Sequence, residues 1–429
     1  MATQMGGLPY WQMRFDEAGK PQARLRQTLL RELPQQGIRH LFVFSHGWNN
    51  SPAIAESLYG RFFTQLTDVL RGRGIARGGF GAVGIIWPSI RWVDEGPPSR
   101  AGGAAAAGKR GAAKSDGDLI RDLKTIFTTG KQRKALDQMA QMLDKRPSGS
   151  KEIARFQRLM QELAPHKLPA EDDGERALLK KKPEVVFGAM ASLASRQRRR
   201  AAAGVVDDLW DGAKEALRAT TYWQMKERAG VVGKAGLGPL VADIHQATPD
   251  ARIHLLGHSF GARLVSFSLA GLPSKAVGAA SPVKSLVLLQ GAFSHFAFAD
   301  ALPHDTKRGG ALKGMASRVD GPILVTHSRK DSAVGSAYPK ASFLSRDDAA
   351  AADARVPRWG AMGSAGAQAV NATELPFADV GDSYSFSRGR FFNLDGNTVI
   401  VDGGPPSGAH SDIVHDKIAW AVICGAGAA

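Results

Sequence analysis

A serine between two glycines is the part of this sequence best suited to chemistry. Gly257-His-Ser-Phe-Gly261 follows a short apolar run, Ile253 to Leu256, and precedes a helix-like segment, Ala262 to Ala270. This order predicts a strand, a tight turn and a helix, which together form a nucleophile elbow. The hydroxyl of Ser259 is then expected to project at the carboxyl end of the strand, where it can attack a carbonyl carbon. The alternative interpretation is a glycine-rich turn with a capping serine.

Two backbone N–H groups are predicted to stabilise the negative charge that such an attack creates. The N–H of Phe260 lies at a helix start, where an oxyanion can bind. His46-Gly-Trp-Asn49 follows another apolar run, and Gly47 permits a close approach of the backbone. We therefore expect the N–H of Trp48 to face the same point as that of Phe260. His46 itself is expected to brace this loop.

A serine hydroxyl becomes a strong nucleophile only when a base takes its proton, and histidine suits that task because its ordinary pKa lies near neutrality. His410, in a glycine-rich loop near the C-terminus, is the expected base, whereas His415 is expected to point elsewhere. The histidine needs an acid to fix its tautomer. Asp331, which follows an apolar run, is the expected acid, with Asp300 and Asp382 as alternatives.

The elements around these residues alternate between buried strands and amphipathic helices, a pattern typical of a mostly parallel sheet covered on both faces. Ser51 and Pro52 are expected to start a helix that ends near Leu70, and Asp412 to Ile423 is expected to be a closing helix with a cap at Ser411-Asp412. A helix from about Ala219 to Gln246 is expected to be interrupted near Gly233 to Gly238. The predicted strands are Tyr10–Phe15 (at an edge), His40–Ser45, Ala82–Trp87, Ile253–Leu256, Val283–Gln290, Pro322–His327 and, after a long loop from Ala337 to Asn393, Asn397–Asp402.

A basic, helical insertion is predicted to divide the α/β part. We expect residues 1–93 and 218–429 to form the core and residues 94–217 to form the insertion. The chain has a net charge of +16, and residues 101–235 alone hold 27 Lys and Arg against 17 Asp and Glu, a net of +10. This excess of positive charge has three interpretations left open: solvated helix faces, binding to an anionic membrane surface, and binding to an acidic partner. Binding to nucleic acid is disfavoured, because few aromatic residues accompany the basic runs at 180–182 and 196–200. The predicted helices are 119–127, 132–143, 152–163, 177–193 and 205–217, after a low-complexity stretch at 101–113.

The motifs together resemble those of the α/β-hydrolase superfamily, and more closely its bacterial serine esterase and lipase-like branch. The pieces that carry the resemblance are Phe44-Ser-His-Gly-Trp-Asn-Asn-Ser51, Trp87-Pro-Ser89, Tyr222-Trp-Gln-Met225 and Gly257-His-Ser-Phe-Gly261, over roughly residues 38–90 and 218–424. The resemblance implies a Ser–Asp–His triad that hydrolyses carboxylic esters through an acyl-enzyme. The chain departs from the family in the position of the insertion, since cap domains more often follow a later strand.

The expected function is a serine hydrolase of ester or lipid substrates, with lipase or phospholipase as the narrower version and the insertion as a lid. Amide hydrolysis and acyl transfer use the same triad. The alternative function is a non-catalytic scaffold that docks a membrane or an acidic partner through the basic insertion. We expect no cofactor and no metal, and the single cysteine, Cys424, excludes an internal disulfide. The N-terminus has no pattern of a secretory signal and no apolar run is long enough for a membrane span, so the default expectation is a cytoplasmic protein, with signal-independent export left open.

Overall fold

The centre of the protein is a twisted sheet with helices on both faces. The structure is a computed structural model and describes residues 2–89, 116–163, 181–198, 205–333, 360–404 and 408–429. Its strands are β1 (Thr3–Met5), β2 (Leu8–Arg14), β3 (His40–Ser45), β4 (Phe80–Ile86), β5 (Arg252–His258), β6 (Val283–Leu289), β7 (Ile323–His327), β8 (Thr373–Pro376) and β9 (Phe391–Asp395).

Among the described residues these nine strands form one sheet in the order β1-β2-β4-β3-β5-β6-β7-β9-β8. The β1–β2 pair is antiparallel, and the other neighbouring pairs are parallel. The expected α/β class with a mostly parallel sheet is therefore confirmed. In such a sheet the carboxyl ends of neighbouring strands meet at one edge, where ligands bind.

The described helices cover the two faces and extend into the insertion. Ser51 caps α2 as expected, because its side chain accepts a hydrogen bond from the N–H of Ile54 and Pro52 occupies the first turn. A π-helical turn, Val232–Leu237, interrupts the long helix where an interruption was expected. The helices are α1 (Ala23–Glu32), α2 (Pro52–Gly72), α3 (Asp116–Ile126), α4 (Gly130–Lys145), α5 (Ser150–Gln161), α6 (Pro183–Arg198), α7 (Val205–Val231), α8 (Gly238–Ala247), α9 (Phe260–Ser268), α10 (Met362–Ala365) and α11 (Asp416–Gly425).

Alternation along the strands sends apolar side chains to two separate cores. In β3, Leu41 and Val43 belong to one buried cluster, whereas Phe42 and Phe44 belong to the other. Because side chains of a strand alternate between the faces of a sheet, each cluster fills one face. The first cluster packs under α1, α7, α8 and α9, and the second packs under α2 and α11.

The described residues between 94 and 217 lie mostly in helices, and their apolar side chains join the first of these clusters. Leu123, Leu136, Phe156 and Phe187 are fully buried there together with residues of the sheet. Helix α7 crosses the expected boundary at residue 217 and runs on towards the elbow. The low-complexity stretch at 101–113, the helix start at 177–180 and, from the two basic runs, residues 180, 199 and 200 lie outside the described residues. None of the described helices has the length and apolarity that crossing a bilayer requires.

The structure corrects several element boundaries. The last predicted strand, 397–402, is wrong, because β9 ends at Asp395 and Asn397 turns the chain by donating its N–H to the Asp395 carboxylate at 2.8 Å. The short strands β1 and β8 were not predicted, and β8 lies inside the expected long loop. Since β1 pairs with β2, the Tyr10 segment is not an edge strand. The closing helix begins at Asp416 with His415 as its N-cap, not at Ser411-Asp412.

Candidate active site

Ser259 lies in a strained turn between β5 and α9. Its φ of 58° and ψ of −122° are outside the regions that side-chain-bearing residues ordinarily occupy. Such a conformation costs about 1–3 kcal/mol and persists only where the surroundings enforce it. The flanking glycines permit the close packing around it: a Cβ on Gly257 would lie 2.3 Å from the Gly261 carbonyl oxygen, and a Cβ on Gly261 would lie 2.0 Å from the Ser45 carbonyl oxygen. The predicted order of strand, tight turn and helix is therefore present.

The loop after β3 touches the same serine. A Cβ added to Gly47 would lie 2.6 Å from Ser259 Cβ and 3.1 Å from Ser259 Oγ, so the bare backbone of Gly47 lies directly against the hydroxyl. Because Gly47 and Ser259 are in contact, the next residues along the chain, Trp48 and Phe260, bring their backbone N–H groups to the same region. The first N–H groups of a helix have no partner within the helix, and that of Phe260 belongs to this set. The shared oxyanion hole of Trp48 and Phe260 stays a prediction.

His46 braces this loop. Its imidazole is fully buried, and its Nδ1–H donates to the Gly47 carbonyl oxygen at 2.8 Å. The Trp87 ring stacks on it, and the Trp87 indole N–H donates to the His46 carbonyl oxygen at 2.9 Å. Burial lowers the pKa of His46 to about 4, so the ring is neutral at pH 7. These contacts hold Gly47 against Ser259.

Asp331 and His410 meet at the carboxyl edge of the sheet. His410 Nδ1 lies 2.8 Å from Asp331 Oδ2, and the side chains are 12% and 0% exposed. Asp331 follows β7, and His410 lies in a 3₁₀ turn, Gly408–Ser411. The Ala409 N–H donates to the Lys330 carbonyl oxygen at 3.0 Å, so the backbones of the two loops are joined as well. A carboxylate in this position fixes which nitrogen of the imidazole carries the proton.

His258, to which the sequence analysis gave no role, joins this pair to the elbow. Its Nε2–H donates to the His410 carbonyl oxygen at 2.8 Å, and the two rings lie 4.9 Å apart. Burial and, less strongly, the nearby His410 lower the pKa of His258 to about 3. Among the described residues no hydrogen bond joins Ser259 Oγ to His410, so His410 reaches the serine's neighbourhood through His258. Catalytic hydrogen bonds are often loose before substrate binds.

The alternative acids and base lie elsewhere. Asp300 and Asp382 are exposed. His415 Nε2 bonds to Asp412 Oδ1 at 2.7 Å, and Asp412 Oδ2 accepts the N–H groups of Val401 and Asp402 at 2.8 Å each. Asp412 and His415 therefore hold the turn before α11, as expected of a histidine that points away from the site.

Gln290 is a residue of the site that sequence reasoning missed. It directly follows β6, is fully buried, and donates an amide N–H to Asp331 Oδ2 at 2.9 Å. A glutamine after a buried strand carries no signal of its own in a sequence. Its place beside Asp331 follows only from the pairing of β6 with β7.

Three aromatic rings lie together on residues near the serine turn. The Tyr222 ring of α7 lies 4.8 Å from the Phe260 ring and 6.0 Å from the Trp48 ring. Tyr222 and Trp48 are partly exposed, and the Tyr222 hydroxyl donates to the Ala292 carbonyl oxygen at 3.4 Å. We call Trp48, Tyr222 and Phe260 the aromatic wall. In this wall Tyr222, from the helix that begins in the insertion, lies beside the side chains of the two residues whose N–H groups are the predicted oxyanion donors.

Comparison of the chain with protein-family models, with curated proteins and with solved structures gave no match. The chemistry of the site therefore has to be argued from its own geometry. Within the described ranges, no group of three or more His, Cys, Asp or Glu side chains is placed to hold a metal ion.

Proposed function

We propose that the chain is a serine hydrolase with an α/β-hydrolase fold that cleaves carboxylic esters through an acyl-enzyme. One observation carries the proposal: the buried Asp331 and the partly exposed His410 form a 2.8 Å pair that is tied to the strained turn of Ser259. The residues come in the chain order serine, acid, histidine, which is the order of that fold. They follow β5, β7 and β9, whose carboxyl ends share one edge of the sheet.

In the proposed mechanism, His410 Nε2 takes the proton of Ser259 Oγ as that oxygen attacks the ester carbonyl carbon. Asp331 accepts the Nδ1–H bond, keeps Nε2 free to receive the proton and stabilises the imidazolium that forms. The carbonyl oxygen becomes an oxyanion, which the N–H groups of Trp48 and Phe260 bind. The imidazolium then gives its proton to the departing alcohol, and the acyl group stays on Ser259.

Deacylation repeats these steps with water. His410 takes a proton from the water, whose oxygen attacks the acyl carbon, and returns the proton to Ser259 Oγ as the acid leaves. The aromatic wall offers apolar surface beside the reacting carbon, which favours esters with an apolar acyl group. A lipase is the narrower version of the proposal, because helix α7, which begins in the basic insertion, also contains Tyr222 of this wall.

The proposal is tested with Ser259→Ala and its matched control, Ser266→Ala. Ser266 lies in α9, is fully buried, and its Oγ has no hydrogen-bond partner among the described residues, so its loss removes no contact of the site. Hydrolysis of p-nitrophenyl butyrate and labelling by a fluorophosphonate probe should disappear in Ser259→Ala and persist in Ser266→Ala. A wild-type protein that neither hydrolyses esters nor takes up the probe would instead favour the non-catalytic scaffold.

A further inference from the structure

The side-chain amide of Gln290 is held in one orientation by three groups. Its Nε2 donates to Asp331 Oδ2 and to the Gly363 carbonyl oxygen, both at 2.9 Å. Its Oε1 accepts the Thr326 hydroxyl at 2.9 Å, and the Thr326 oxygen accepts the backbone N–H of Gln290 at 3.0 Å. Exchanging the amide oxygen and nitrogen would place an acceptor against two acceptors, so the contacts fix which atom faces Asp331.

The backbone of Gln290 is strained where this amide is placed. Its φ is 47°, a left-handed conformation that residues other than glycine adopt rarely, and the side chain has no exposed surface. The strain occurs at the end of β6, one strand away from the elbow. Backbone strain of this kind persists where surrounding contacts over-determine a conformation. Here those contacts include the bonds to Thr326, Asp331 and Gly363.

Asp331 Oδ2 therefore accepts hydrogen bonds from the imidazole Nδ1–H of His410 at 2.8 Å and from the amide N–H of Gln290 at 2.9 Å. An ionised carboxylate only accepts hydrogen bonds, and a buried one needs donors to stay charged and oriented. A donor fixed to the sheet by Thr326 determines where Oδ2 lies, and hence where the His410 ring lies.

We propose that Gln290 is a positioning residue of the hydrolase: it orients Asp331, and through Asp331 the base His410. The inference rests on the proposed function. Gln290 contacts no reacting atom in this role, so it should affect the chemical step and not the binding of substrate. The segment around Gly363 enters the same network through its carbonyl oxygen, which links that loop to the acid.

The test is a double-mutant cycle between Gln290→Met and Asp331→Asn with p-nitrophenyl butyrate. Gln290→Met keeps the length of the side chain and removes the donor. It should lower kcat by about 10- to 100-fold with little change in KM, since a hydrogen bond to a charged group is lost in the chemical step. In the Asp331→Asn background the same substitution should lower kcat by less than about threefold, because the residue it acts through has already lost its charge.

Asn393→Leu is the matched control. Asn393 is also a buried amide; it clamps the same loop through Ala367 N–H and the Ala367 carbonyl oxygen at 2.8 and 3.1 Å and bonds to Glu374. If the network only stabilises the fold, Gln290→Met and Asn393→Leu should act alike, and each should act equally in both backgrounds. Such additivity would overturn the inference.

Thr326→Val provides a second route if Gln290→Met does not fold. It removes the hydroxyl that orients the amide and leaves Gln290 in place, so it should lower kcat by a smaller factor that again vanishes in the Asp331→Asn background. An unchanged kcat in Thr326→Val and Gln290→Met, with activity still lost in Ser259→Ala, would reject the role of Gln290 and leave the hydrolase standing. Full activity in Ser259→Ala would reject the hydrolase itself.

Discussion

Replacing Gly47 by alanine should disable the site through a single methyl group. The new Cβ would lie 2.6 Å from Ser259 Cβ, 3.1 Å from Ser259 Oγ and 3.2 Å from the His258 carbonyl oxygen. Carbon atoms in contact ordinarily stay about 3.5 Å apart, so the two Cβ atoms must separate by about 0.9 Å. A misplacement of about 1 Å at a reacting group costs about 100-fold in rate. Overpacking should also lower the free energy of unfolding by about 1–3 kcal/mol.

Gly60→Ala is the control for this change. Gly60 lies within α2, and a Cβ there would have no atom within 4 Å, so alanine should stabilise the helix by about 1 kcal/mol and leave activity intact. The assays are kcat/KM for p-nitrophenyl butyrate, the rate of fluorophosphonate labelling and urea unfolding. Gly47→Ala should lose about 100-fold in the first two. Wild-type rates in a folded Gly47→Ala would refute the placement of this loop against the serine.

Two further predictions concern pH and the aromatic wall. Burial holds the pKa values of His46 and His258 at about 4 and about 3, below the ordinary value of about 6.5, so the unfolded chain binds protons first as the pH falls. The free energy of unfolding should therefore decrease from pH 6.5 towards pH 4 by about 1 kcal/mol per pH unit for each histidine. Urea unfolding at a series of pH values measures this slope, and a slope for His258→Gln as steep as that of the wild type would contradict the prediction. Tyr222→Ala should raise KM for esters of apolar acids about tenfold with kcat nearly unchanged, whereas Tyr222→Phe should keep KM close to wild type; equal effects of the two variants would assign the role to the hydroxyl and not to the ring.

The central strands could be predicted because each is a short apolar run bounded by turn residues, and β3 was predicted with its exact bounds. The elbow could be predicted because a turn this tight has no room for a Cβ at positions 257 and 261, and glycine at both positions is visible within a few residues of sequence. At the C-terminal part the same reasoning failed. Thr398 to Val401 is apolar enough for a strand, yet the Asp395-Gly-Asn397 turn before it ends β9. That turn signal outweighed the apolar run.

The partners of Asp331 show what a sequence cannot supply. The order serine, acid, histidine was visible, and the structure brings Asp331 and His410 within 2.8 Å. Gln290 and His258 were not identified, because their contacts depend on which strands are neighbours and on how the His410 turn sits against the elbow. These are tertiary facts with no local signature.

The shared apolar cluster has a consequence for protein engineering. Leu123, Leu136 and Phe156 of the insertion are buried in the same cluster as Leu41 and Val43 of the central strand β3. Excising residues 116–217 to obtain a minimal catalytic unit would uncover apolar surface on one side of the sheet, and the shortened product should aggregate. A trimmed version would need polar replacements along α7, beginning at Trp223, before the rest of the chain could be expressed alone.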